Sequence, residues 1–161
     1  MSATAGLTGG CQCGAVRFRA GRLGRASICH CRMCQKQFGA FYGPLVTGFE
    51  VTWTRGQPKR FQSSNQAWRG FCADCGTPLT FEVPGREVEL AIGAFDDPTV
   101  AAPVLQVNPN DKLAFVDGLP RLPARQAGES PASDAFKATV VSYQHPDHDT
   151  AVWPEEGARH G

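Results

Sequence analysis

GGCQCGAVRF at residues 9–18 and GFCADCGTPLTF at residues 70–81 each carry a close pair of cysteines followed at once by glycine. Between them, ICHCRMCQKQFGAF at residues 28–41 carries three more. Cys11 and Cys13 form C-x-C, Cys29, Cys31 and Cys34 form C-x-C-x-x-C, and Cys72 and Cys75 form C-x-x-C, which uses all 7 cysteines. Spacings this short put thiols on one local turn, where they converge on a metal more readily than they form disulfides. Four ligands close a tetrahedral zinc site, and three leave one coordination position open for chemistry. Four plus three uses every cysteine.

The residues that follow the cysteines suggest how they divide. Gly14 follows Cys13 and Gly76 follows Cys75, and a chain that turns sharply to donate amides to sulfur favours glycine, which takes positive φ without strain. Gln35 follows Cys34, so that signature is missing from the middle cluster. The expected closed structural site is therefore Cys11, Cys13, Cys72 and Cys75, leaving Cys29, Cys31 and Cys34 around a second zinc. Three thiolates make that zinc a poor water activator but a good holder for an incoming thiol. The competing arrangement is a single zinc ribbon of Cys31, Cys34, Cys72 and Cys75, which leaves both C-x-C pairs unexplained.

The surrounding sequence is mainly β. Val16 and Phe18 alternate with Arg17 and Arg19, which predicts a half-buried strand with the arginines outward. Further strands are expected at 41–47, 49–55, 59–63, 67–72, 78–83 and 87–95, with 104–108 and 112–116 as late strands and Gly or Pro between most of them. Helices should be few and short: a turn or two after Cys34, another near Asp96-Asp97-Pro98, and 136–143 as a short helix or strand. At 161 residues the chain can build a real core, and its net charge of +1 gives no footprint for nucleic acid. No apolar run approaches membrane-spanning length, and MSATAGLTGG does not read as a signal peptide, so a cytoplasmic protein with reduced thiols is expected. Residues 1–123 read as the zinc-binding domain and 124–161 as a linker and C-terminal extension. Removing that extension is expected to leave the core intact.

The three quoted segments resemble the signature segments of the glutathione-dependent formaldehyde-activating enzyme family, which includes the centromere protein V relatives. The resemblance runs over roughly residues 7–123, through LPRLP at 119–123. It implies an antiparallel β-tent fold shared with methionine-R-sulfoxide reductases. It also implies a structural zinc on Cys11, Cys13, Cys72 and Cys75, and a catalytic zinc on Cys29, Cys31 and Cys34. The implied activity is a zinc-dependent carbon–sulfur lyase reaction on a thiol–aldehyde adduct, with glutathione and formaldehyde as the small-molecule partners. The alternative is a non-catalytic zinc-binding β module for protein interaction or small-thiol binding.

Other residues carry weaker signals. His30, on a tight turn between ligands, is expected to point away from the metal. His145 and His148 have ligand-like spacing in HPDHD, but Pro146 disfavours a helix and a solvated tail is the expectation. Arg32, Lys36 and Arg69 are candidates to face the carboxylates of a glutathione-like thiol, with surface solvation as the default for each. Trp53, Trp68, Phe41 and Tyr42 read as core or pocket wall, and Lys112 with Asp111 and Asp117 as ordinary surface.

Overall fold

A computed structural model describes residues 7–154, so the chain start read for a signal peptide and the last residues of the tail lie outside the described region. The chain is mainly β, with two sheets and few short helices. In order it forms β1 (Leu7–Gly10), β2 (Arg17–Ala20), β3 (Arg22–Cys29), α1 (Arg32–Phe38), β4 (Gly43–Phe49), β5 (Thr52–Arg55), β6 (Lys59–Gln62), β7 (Trp68–Phe71), β8 (Pro78–Glu82), β9 (Val88–Ala91), β10 (Leu105–Val107) and α2 (Pro131–Ala138). β1, β2 and β5 make a three-stranded sheet, and the others make a seven-stranded sheet in the order β10-β3-β4-β9-β8-β7-β6.

All pairings are antiparallel except β10 with β3, where Leu105–Val107 runs parallel to Ser27–Cys29. That parallel pair extends one residue further, because the His30 amide donates to the Val107 carbonyl at 3.0 Å. Asn108 therefore lands beside the end of β3. Its left-handed backbone, φ 51°, is one that asparagine tolerates better than most residues.

One contiguous core draws from both sheets. Phe18 of β2 is fully buried, its ring edge-on to Phe95 at 5.1 Å and to Trp53 at 6.0 Å. Val46, Leu79 and Leu90 supply the seven-stranded sheet's share of the same cluster.

Three expectations need correction. β3 was not expected: Gly24 and the arginines at 22 and 25 hide the strand, and its partners on both sides create it. The segment 112–116 is no strand; turns and a 3-10 stretch, Val116–Arg121, follow β10 at the sheet edge, punctuated by Gly118 and Pro120. Arg17 is buried rather than outward, as described below. The tail's helix, α2, begins inside the expected linker and ends at Ala138, so most of 136–143 is neither helix nor strand, and residues 145–153 return to the domain: the His145 amide donates to the Gln12 carbonyl at 2.7 Å.

Candidate metal centres

Cys11 and Cys72 sit on two turns with the same construction. The Cys11 amide donates to the Val16 carbonyl at 2.9 Å, and the Cys72 amide to the Thr77 carbonyl at 2.9 Å. Inside each loop a glycine amide donates back, Gly14 to the Cys11 carbonyl and Gly76 to the Cys72 carbonyl. Both glycines have φ of 77°, which an L side chain adopts only with strain. The turns are linked by the Gln12 amide, which donates to the Thr77 hydroxyl at 3.0 Å.

All four sulfurs, of Cys11, Cys13, Cys72 and Cys75, lie within 4.8 Å of one another. The 3.6 Å from Cys11 to Cys13 and 3.7 Å from Cys13 to Cys72 exclude disulfides and match the edge of a zinc tetrahedron, about 3.8 Å for Zn–S bonds of about 2.3 Å. Burial pushes the Cys11 and Cys13 thiols up. Burial also opposes ionisation of Cys75, yet the hydroxyl and amide of Thr77, with help from Cys13, draw it down to about 6. The donor set fits zinc. Because Cys11 and Cys13 follow β1, and Cys72 and Cys75 join β7 to β8, the site clasps the small sheet to the large one.

The second group is Cys29, Cys31 and Cys34, their sulfurs again within 4.8 Å of one another. Among the described residues no fourth cysteine, histidine or carboxylate joins them. Cys29 ends β3, Cys31 is the N-cap of α1, and Cys34 lies buried in its first turn. Each sulfur meets an N–H donor at 3.4 Å: the Asn108 amide side chain on Cys29, the Cys34 backbone amide on Cys31, and the Arg69 Nη2 on Cys34. Burial pushes the Cys34 thiol up to about 12, helped by the charges of its two neighbours and resisted by Arg69. Cys31 moves down despite its burial, through the amides of Cys34 and Met33 and the other two thiols. Zn²⁺ with three thiolates would carry one net negative charge, and the Arg69 guanidinium would cancel it.

The ribbon arrangement does not occur, because Cys31 and Cys34 lie in a different group from Cys72 and Cys75. His30 is fully buried; its Nε2 meets the Gln106 side-chain oxygen at 2.8 Å, and it belongs to neither group. Arg32 and Lys36 are exposed as expected, but Arg69 is only 2% exposed. His148 is exposed, whereas His145 is buried against Gly14 and holds the Thr150 hydroxyl at 2.9 Å. Trp153 donates from Nε1 to the Cys13 carbonyl at 2.7 Å. Trp53 packs on the core, while Trp68 is exposed and, with Trp53, lines a groove of about 930 Å³ that contains no cysteine. Asn108 had no sequence signal and the tail contacts only the weak one of Trp153 and the HPDHD histidines, since each depends on chain far from the cysteines.

Comparison with known proteins places the chain in a family. The family model of the glutathione-dependent formaldehyde-activating enzymes matches residues 6–110. The chain belongs to that family. No curated protein matches it. Among solved structures, a crystal structure of a Rhodobacter sphaeroides protein from a structural genomics programme is similar, at 22% identity and a TM-score of 0.49, over 62% of this chain and 99% of that one. The matched span takes in both cysteine groups and Asn108, and stops before the returning tail.

Proposed function

We propose that this protein is a zinc-dependent carbon–sulfur lyase acting on a thiol–aldehyde adduct, with glutathione as the thiol and formaldehyde as the aldehyde. The observation that carries this reading is the pair of sulfur groups, one with four donors and one with three. Cys11, Cys13, Cys72 and Cys75 hold a structural zinc, and Cys29, Cys31 and Cys34 hold a second. That second zinc, when bound, supplies a fourth position able to take a thiol as its thiolate.

The chain's own residues do the rest. Asn108, Arg69 and the Cys34 amide fix the three sulfurs and withdraw charge from them, which keeps the group from repelling an incoming anion. The substrate sulfur forms the C–S bond to the aldehyde carbon as the carbonyl π pair moves to oxygen. The oxygen gains a proton, the thiol has lost one, and the reverse step releases aldehyde. Holding sulfur and carbonyl together supplies much of the acceleration. The functional unit is residues 1–123, and 124–161 is an extension whose stretch 145–153 braces the closed site. Seven cysteines serving as zinc ligands must stay reduced, which suits a reducing compartment such as the cytoplasm.

Exchange NMR of a glutathione–formaldehyde mixture tests the activity. Added protein should speed exchange between free glutathione and its hydroxymethyl adduct, and Cys31→Ser should return the rate to background. Exchange at the background rate with zinc-loaded parent protein would leave the non-catalytic zinc module as the reading.

A further inference from the structure

Against the three-cysteine group lies a second feature that the cysteines do not explain. A cavity of about 360 Å³, within the range of small-ligand pockets, is lined by Arg32, Met33, Lys36, Phe61, Ser63 and Arg69 among others. Arg69 is the wall it shares with the cysteines. The guanidinium is held on three sides: Nε donates to the Ser63 hydroxyl at 3.2 Å, Nη2 donates to the Cys34 sulfur at 3.4 Å, and its carbon lies 4.9 Å from the centre of the Phe81 ring. Its Nη1 is buried and has no partner among the described residues. A buried charged donor without an acceptor is unfavourable unless a ligand completes it.

The other two cations of the cavity are Arg32 and Lys36, one helical turn apart on α1. Arg32 donates to the Gln35 side chain at 2.9 Å, and none of the three cations has a carboxylate partner among the described residues. Three cations and no acid around a cavity walled in part by Met33 and Phe61 select an anion on an apolar stem. One planar fork touches a sulfur of the open group with one nitrogen and lacks a partner at another, so thiol and anion belong to a single ligand.

We infer that this cavity binds a carboxylate of the thiol substrate, with Arg69 as the buried anchor and Arg32 and Lys36 as the rim. The inference deepens the proposed function and rests on it. Arg69 is a specificity residue here and also a positioning residue for Cys34. Glutathione carries two carboxylates, and its dimethyl ester keeps the thiol and most of the shape while removing both charges.

Calorimetric titration of the zinc-loaded full chain with glutathione and with glutathione dimethyl ester separates the two readings. Glutathione should bind at least about tenfold more tightly than the ester, the scale expected of a desolvated guanidinium–carboxylate contact. The preference should shrink severalfold in an Arg32→Gln/Lys36→Gln variant, whose sites are exposed and outside the core, and should weaken with added salt. Arg69→Lys, which keeps the charge but loses the fork, should also lower it. Equal binding of acid and ester overturns the carboxylate site and leaves the thiol reading standing. Failure of both thiols to bind overturns the proposed function and this inference with it.

Discussion

Arg17 shows how one residue can hold several parts of this molecule together. Its guanidinium forms a two-pronged contact with Asp96, at 2.7 and 2.6 Å, and reaches Asp149 of the tail at 2.7 Å. Asp96 also accepts from the Thr8 hydroxyl at 2.6 Å. Burial pushes the Asp96 carboxyl up, but the Arg17 hydrogen bonds, Thr8 and the nearby positive charge together hold it below the usual carboxylate range. The folded state therefore favours the ionised form. Its contribution to stability is complete above the unfolded value of about 3.9 and is lost as pH falls through the lower folded value. Asp96→Asn should lose stability at pH 7, and its gap to the parent should close in urea melts as the pH falls below about 4. Arg17→Met should cost about 3 kcal/mol at pH 7, because it strands a buried carboxylate. A cost below about 1 kcal/mol would show that the pair is solvated. The alternation Val16, Arg17, Phe18 reads as in, out, in; all three are buried because Asp96 and a tail 132 residues away cover the outer face. No local pattern encodes such a cover.

At the scale of elements, the two sulfur groups should respond differently to loss of a ligand. The four-cysteine site joins turns from different sheets, so a metal bound there would contribute its binding to folding free energy. Cys72→Ser should lower the thermal midpoint by roughly 10 °C or more and remove one zinc. Cys31→Ser should lower zinc content and abolish thiol binding while changing the midpoint by only a few degrees, since that group lies on one strand end and one helix start. Equal unfolding of both variants, seen by circular dichroism with metal analysis, would make the two groups one cooperative unit. The glycines after Cys13 and Cys75 made the two turns legible, since positive φ is a local demand written in one residue. The tail was not legible. Truncation of 140–161 removes Asp149 from Arg17, Thr150 from Arg55 and Trp153 from the Cys13 carbonyl. Its melt should fall by several degrees, about what the loss of one or two buried contacts costs a chain of this size. A melt equal to the parent's would restore the tail as a dispensable extension.

Over the whole molecule, a β scaffold brings distant segments to two metal-sized clusters of cysteines. Most strands could be read from alternation and glycine or proline punctuation. β3 could not, because a strand with Gly24 between arginines is defined by the partners β4 and β10 on its flanks. The cysteines were legible because ligand spacing is a short-range property, while Arg69 and Asn108, which touch the sulfurs, come from β7 and from just beyond β10. The protein should hold one closed zinc and one zinc open to thiol. Metal analysis combined with glutathione titration of the cobalt-substituted protein tests it directly. Two metal ions per chain are expected, with the absorption bands of one shifting as glutathione binds and those of the other unchanged. One ion per chain, or two that both ignore glutathione, would contradict it.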